Sequence, residues 1–316
     1  MGFETILGNE RLRENLAASL KAGHISHFYL ISGPEGSGKR TLASLLSAGI
    51  LCRGADKPCR ACRECRRVLA GSHPDVITLE EKEKKTVSVE LVRRARADVY
   101  IRPNESAYKI YILPRAQDMS VAAQNALLKV LEEPPAYGVF LLLADNPNKM
   151  LPTIRSRCVE LKLQALPEEI LLPQLRREFP EAAEEDLRGA MARGGGFLGQ
   201  SRAALTQGVS AQTAAFAQAY VRGDALSLAE VLTPMEKWKR EALLLELAAW
   251  LEILEGALAC GSGITVPSAL SRRIAAGRGA FDQMQAVSCL KKAMEYTQGN
   301  VSPAAVCGWL GWALQK

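Results

Sequence analysis

Apolar positions along the chain follow two different rhythms, and the rhythm changes about two thirds of the way through. Leu12, Leu16 and Leu20 recur every four positions among polar residues and predict a helix over residues 4–22. Gly23-His24-Ile25-Ser26-His27 breaks it, and Phe28-Tyr29-Leu30-Ile31 follows as an apolar run. Leu42-Ala43-Ser44-Leu45-Leu46 favours helix, and Val89, Val92 and Arg93 open another helix that runs to about Tyr100. Lys109-Ile110-Tyr111-Ile112-Leu113 is apolar on both faces, the pattern of a strand inside a parallel sheet. Ser120 is placed to cap a helix that Pro134-Pro135 stop, and Phe140-Leu141-Leu142-Leu143-Ala144 reads as a second buried strand. Beyond Gln207 only helical stripes remain: Leu244, Leu247, Trp250, Leu251 and Leu254 form one, and Val306, Trp309, Leu310 and Ala313 another after Pro303. Gly261-Ser262-Gly263, Gly277-Arg278-Gly279 and Gly299-Asn300 read as breaks. An α/β part followed by an all-α part is the fold class these rhythms predict.

Composition narrows this picture in a few places. A chain of 316 residues has room for two or three domains at roughly 100–200 residues each. Hydrophobic residues at 48% and charged residues at 23% suit a globular protein with a sizeable core. A net charge of +6 permits contact with nucleic acid without arguing for it. No apolar run is long enough to cross a membrane. Met1-Gly2-Phe3-Glu4 lacks a signal-peptide pattern, and Ile6 stands where a myristoylation site needs Ser or Thr. The cytoplasm is the expected location, where the eight cysteines would be reduced thiols or metal ligands. Glu80-Glu81-Lys82-Glu83-Lys84-Lys85 reads as a solvated loop.

The first candidate chemistry lies between the run at Phe28–Ile31 and the helix at Leu42. Gly33-Pro34-Glu35-Gly36-Ser37-Gly38-Lys39-Arg40-Thr41 fits G-x-x-x-x-G-K in a strand–turn–helix setting. Glycines let successive N–H groups face one anion, while the helix N-terminus and Lys39 add positive charge. The position after Lys39 should carry the hydroxyl that holds magnesium, but it is Arg40, and Thr41 comes one place late. In a nucleotide hydrolase the strand at 109–113 would end in Asp-Glu, for metal and water; here it ends in Pro114-Arg115. Asp118 follows too far past the strand end to substitute. The loop is expected to hold phosphate with its metal ligands in doubt, and the bland alternative is a glycine-rich turn without a ligand.

The second candidate is a cysteine cluster. Cys52, Cys59, Cys62 and Cys65 fall within fourteen residues, with two C-x-x-C spacings that each let two thiolates reach one ion. Gly54 and Pro58 bend the chain so that Cys52 can close a tetrahedron, giving four sulfurs and no open position: a structural zinc site. Arg53, Arg60, Arg63, Arg66 and Arg67 would offset its charge. A redox pair and an iron–sulfur cluster are the rivals, and a reduced compartment with a compact knuckle favours zinc. Cys158, Cys260, Cys289 and Cys307 are expected to be buried small apolar side chains. His24 and His27 have no ligand cluster beside them and read as turn residues.

Asn125-Ala126-Leu127-Leu128-Lys129-Val130-Leu131-Glu132-Glu133-Pro134-Pro135, with Ser156-Arg157-Cys158, resembles the bacterial clamp-loader subunits of DNA polymerase III, a branch of the AAA+ proteins. The knuckle and the phosphate loop fall where that family has them, and matching motifs cover about residues 5–205. Arg40 and Pro114-Arg115 depart from the gamma/tau pattern and resemble the delta-prime one, as does the length. The resemblance implies an AAA+ P-loop domain with a zinc module (about 52–65) over residues 1–163, a helical lid over 164–207, and a helical collar over 208–316. It implies that Gly33, Gly36, Gly38, Lys39, Arg40 and Thr41 form a nucleotide site for ATP or ADP, degenerate here. Arg157 would be an arginine finger reaching a neighbour's ATP, and Arg202 a lid arginine facing its own loop, unless it is merely a surface helix residue. The implied role is that of a subunit without intrinsic ATPase, in a hetero-pentameric ring with gamma/tau and delta that loads the sliding clamp on primer–template DNA. The rivals are an active gamma/tau-like ATPase subunit and a P-loop small-molecule kinase, the latter requiring an acceptor site of its own.

Overall fold

The computed structural model describes residues 2–81, 86–207, 210–262, 268–299 and 301–315. Most of the charged run at 80–85, together with Met1, Gly263 and Asn300 from the readings above, lies outside the described residues. By contact density the chain divides into two units, Met1–Glu178 with Arg193–Arg202, and Phe179–Ala192 with Ala203–Lys316.

In the first unit, the helix expected from residue 4 begins only at Glu10 (α1, Glu10–Lys21). Gly8 and Asn9 take left-handed φ values of 56° and 50°, which stop helix propagation, and Phe3 and Ile6 turn into the core instead. The chain continues through β1 (Phe28–Ser32), α2 (Lys39–Leu51), α3 (Arg63–Leu69), β2 (Val76–Thr78), α4 (Val89–Asp98), β3 (Lys109–Leu113), α5 (Val121–Glu132) and β4 (Gly138–Ala144). It then adds α6 (Pro152–Arg155), β5 (Val159–Lys162) and α7 (Glu168–Glu178). Ser88 and Ser120 accept N–H bonds from Leu91 and Ala123 at the starts of α4 and α5, so the expected cap at Ser120 is present.

All pairings in the sheet are parallel and its order is β2-β3-β4-β1-β5. β1, β3 and β4 are buried at every position, as their unbroken apolar runs require. Separate apolar clusters cover the two faces. On one face Phe28, Phe140 and Tyr111 stack across three strands, with centroids 5.0 and 4.8 Å apart. The order sets β1 beside β4 in the register Ser32↔Ala144, so Gly33 N–H donates to the Ala144 carbonyl at 3.2 Å. Whatever follows β1 therefore faces whatever follows β4, at the carboxyl edge where open α/β sheets bind ligands.

The second unit takes α8 (Glu184–Arg193) but for its last residue, the second half of α9 (Leu198–Gln207), and α10 (Ala211–Arg222), α11 (Ala225–Leu232), α12 (Arg240–Gly261), α13 (Ala269–Gly277), α14 (Ala280–Gln298) and α15 (Pro303–Ala313). Phe216 stacks on Trp250 at 4.0 Å in its core. Glu246 takes hydrogen bonds from Ser210, Thr213 and the Trp250 indole, joining α10 to α12. The α12 stripe is turned by a residue from the one expected: Leu243, not Leu244, is buried, and Ile253 joins Leu254, because α13 and α14 both pack on this helix. Of the scattered cysteines only Cys307 is fully buried; Cys158, Cys260 and Cys289 are half-buried. No helix among the described residues is long and apolar enough to cross a membrane.

Candidate functional site

The turn between β1 and α2 has the backbone that its glycines allow. Gly36 and Gly38 hold φ of 73° and 96°, and Gly38 is the residue from which α2 starts, so the helix N-terminus faces the loop. Lys39 does not extend into open space. Its ammonium donates to the carbonyls of Gly33 and Pro34, each at 2.7 Å, and lies 2.6 Å from Asp145 Oδ1 just past β4. Asp145 is itself held: Gln117 Nε2 donates to its Oδ2 at 3.1 Å, and its N–H donates to Gln117 Oε1 at 3.2 Å.

A cavity of about 500 Å3 lies over this loop. Gly36, Gly38, Lys39, Arg40, Thr41 and Arg202 from the sequence reading all line it, along with Pro114 and Arg115. Gly33 is buried beneath them and meets Lys39 through its carbonyl. Past β3, Arg115 adopts a left-handed φ of 54° and starts a 3-10 turn, Ala116–Asp118, that brings Gln117 to Asp145. Asp118 is not among the lining residues; it lies 3.9 Å from Arg115. Arg40 turns to Glu80, 2.6 Å away, and Arg202 pairs with Glu178 of α7. A second cavity of about 210 Å3 shares Gly36, Gly38, Thr41, Gly199 and Arg202 and is lined by Ile6, Leu7, Leu166, Phe197 and Leu198. The two cavities adjoin over the loop, and their joint space could take a phosphate chain with the group it carries.

The loop's tip is covered by backbone. Gly199 N–H donates to the Gly36 carbonyl at 3.0 Å, and a Cβ on either glycine would lie under 3.0 Å from the other's main chain.

Arg157 is elsewhere. It precedes β5, whose Val159 is level with Tyr29 at the amino end of β1. Strands rise about 3.3 Å per residue, so roughly 13 Å of sheet separates Tyr29 from Gly33, and Arg157 stands at the edge opposite its own loop. Its guanidinium is half-exposed, donating to the Thr153 carbonyl at 3.0 Å and lying 3.6 Å from Glu132.

At the far end of α2 the four expected cysteines do converge. Their sulfurs all lie within 4.8 Å of one another, against roughly 3.8 Å between sulfurs in an ideal tetrahedron with zinc–sulfur bonds near 2.3 Å. Cys52 follows α2 directly, and Cys62 caps α3 by accepting the Cys65 N–H. Gly54 and Cys59 N–H groups point at Cys52 Sγ, and Cys62 N–H at Cys59 Sγ, each at 3.3 Å. Such donors favour thiolate, the form a metal binds. The N–H groups of Cys62 and Ala61 pull the Cys59 thiol down to about 6, whereas burial pushes Cys52 and Cys65 up. A Cβ on Gly54 would meet Cys59 Sγ at 3.2 Å, so this position must stay small. The donor set is all sulfur and closed, and it fits a structural metal ion.

Behind the knuckle lies a buried polar scaffold. The Asp75 N–H donates to His73 Nδ1, which leaves His73 Nε2 to face Glu64 at 3.1 Å and Ser106 at 3.2 Å. Asp75 accepts from the main-chain N–H groups of Asn104, Glu105 and Ser106 and from the Asn104 amide. Its burial raises the carboxyl and those four donors outweigh it, leaving it below its usual range. Arg53, expected to offset the cysteines' charge, lies 3.6 Å from Glu64.

Asp145, Gln117, Glu80 and Glu178 are the site residues that sequence reasoning passed over. An acid directly after a buried strand was the one available signal, at Asp145.

The family model described as "DNA polymerase III, delta subunit" matches residues 8–167. The chain is 38% identical over 192 residues to the Pseudomonas aeruginosa DNA polymerase III subunit delta', covering 60% of this chain and 58% of that one. It is 33% identical over 177 residues to the Bacillus subtilis subunit tau, covering 55% and 31%, and 32% identical over 265 residues to the Escherichia coli subunit tau, covering 78% and 40%. The chain thus spans between about a third and about three fifths of these relatives' own lengths. Among solved structures, a DNA polymerase III gamma subunit-related protein from Thermotoga maritima aligns over 95% of this chain and 98% of its own, at 18% identity and a TM-score of 0.46.

Proposed function

The chain belongs to the DNA polymerase III delta-subunit family, and on that premise we propose that it is a non-hydrolysing, delta-prime-like member of the replicative clamp loader. The observation that carries this reading is the end of β3. Pro114 and Arg115 line the cavity over the phosphate loop where a hydrolase keeps two carboxylates for magnesium and water. Asp145, an acid that lines the cavity from the end of β4, is already bound to Lys39. A nucleotide can occupy such a loop without being turned over.

The complementary half of the proposal is Arg157, an arginine finger acting in trans. Its position at the sheet edge opposite Lys39 supports action on a neighbour rather than on its own loop. A guanidinium offers a rigid fork of donors to phosphate oxygens and stabilises charge on the transferring group. Zinc at Cys52, Cys59, Cys62 and Cys65 belongs to the same proposal, with the four converging sulfurs as its support. So does the division into an AAA+ domain (1–163), a lid (164–207) that brings Arg202 to the nucleotide, and a collar (208–316). So do cytoplasmic location, a hetero-pentameric ring with gamma/tau and delta, and action on sliding clamp and primer–template DNA.

The purified chain should show no steady ATP hydrolysis, and turnover abolished by Lys39→Ala would overturn that half. In reconstituted complexes, Arg157→Ala should leave assembly and metal content intact while lowering clamp-stimulated ATPase. Such fingers are worth roughly 10³–10⁵ in rate at a single site, and one site among several should lose less overall. Arg157→Lys should rescue poorly, Arg155→Ala should be mild, and wild-type rates with Arg157→Ala would remove the finger. The rival active-ATPase reading draws on the identity to tau chains and on the Thr41 hydroxyl at the cavity. The same hydrolysis measurement decides between them.

A further inference from the structure

An ammonium has three protons to donate, and those of Lys39 have three acceptors: Gly33 O, Pro34 O and Asp145 Oδ1. A phosphate can reach this lysine only by displacing one of them. Removing a carbonyl would leave a loop acceptor without its donor, whereas removing Asp145 exchanges one anion for another. Lys39 is close to buried, so its charge is answered by what lies within the cavity and little by bulk water.

The neighbouring cations follow the same rule. The cavity is lined by Lys39, Arg40, Arg115 and Arg202, and each has a carboxylate of this chain beside it: Asp145, Glu80, Asp118 and Glu178 in turn. Of these acids only Asp145 lines the cavity itself. It is also the one whose other oxygen and main-chain N–H are fixed by a second side chain, Gln117, delivered by the turn that replaces the acidic pair after β3.

We propose that Asp145 is a built-in competitor for the phosphate site. Its carboxylate occupies the place of a phosphate oxygen on Lys39, Gln117 positions it there, and together they set the affinity of the loop for nucleotides. The proposal rests on reading the loop as a phosphate site and concerns affinity alone. Its failure would leave the absence of turnover and the role of Arg157 untouched.

Asp145→Asn removes the charge and keeps the shape. Titration of the full chain with fluorescent ADP and ATP should show this variant binding at least about tenfold tighter than wild type, which corresponds to about 1.4 kcal/mol. Tripolyphosphate should compete better against the variant by a similar factor, while adenosine should not distinguish the two proteins. Lys39→Ala in the Asp145→Asn background should abolish the gain, and Gln117→Ala should give a smaller gain of the same sign. Thermal melting and zinc content, unchanged in Asp145→Asn, exclude misfolding. Equal or weaker nucleotide binding by a folded Asp145→Asn overturns the proposal. A gain that survives loss of Lys39 does so too, as does an absence of measurable binding by either protein.

Discussion

At the N-terminal end of α2, cations lining a cavity are answered by carboxylates of the same chain; at its C-terminal end, four sulfurs converge on one another. One helix of 13 residues, about 20 Å of rigid rod, carries both. The first region is electrostatically complete as it stands. The second gathers thiol groups whose metal-binding form is anionic, so proximity alone is repulsive until a cation joins them. A motif in a sequence marks where a ligand would sit; whether the fold depends on the ligand is decided by what else reaches the same point.

The contrast is most easily broken at the knuckle. Stripping metal with a strong chelator should unfold residues 52–69 and fray the end of α2, because structural zinc contributes roughly 10–16 kcal/mol in small modules. Hydrogen exchange should rise there and stay unchanged at residues 33–41, whereas removing nucleotide should leave the knuckle unaltered. Metal analysis of mildly chelator-washed protein should return about one zinc per chain, and a value near zero removes the metal assignment.

A carboxylate with no alternative partner gives the next largest effect. Asp145 faces a cation that a phosphate could claim, but Asp75 serves main-chain N–H groups with no other acceptor in the structure described. Asp75→Ala should destabilise the first unit by on the order of 2–4 kcal/mol, read as a drop in the denaturation midpoint. Since the folded state holds this carboxyl below its usual range, its contribution is complete above about pH 4 and is lost as pH falls through the depressed value. The stability difference between wild type and Asp75→Ala should therefore shrink in acid, and a difference independent of pH would contradict the assignment.

The smallest effect tests the cover over the loop. Gly199→Ala drives a methyl group into the Gly36 main chain and should cost about 1–3 kcal/mol. Because that contact touches no charged pair, the knuckle should keep its metal. Metal loss in this variant would mean that the two ends of α2 are less independent than their chemistry implies.

Legibility in the sequence followed the range of the interactions. β1, β3 and β4 could be read because burial on both faces writes an uninterrupted apolar run. β5 could not: it is an edge strand whose Glu160 and Lys162 are exposed, with Leu161 alone buried. β2 has three residues, too few to show a period. Lys39 and the cysteine quartet were visible because loop and knuckle are local in sequence. Gln117 and Asp145 were not, since they meet only after β3 and β4 are laid side by side, and neither belongs to a spacing rule. The late start of α1 shows a third kind of miss, in which a correct leucine stripe was extended through Gly8 and Asn9, whose left-handed conformations end it.

Because every strand of the sheet points the same way, its two edges are not interchangeable: one presents Lys39 and the other Arg157. A subunit of this kind is an arrow. Any assembly in which the arginine edge of one chain meets the phosphate edge of the next must be built head to tail, through heterologous contacts that no two-fold axis can generate.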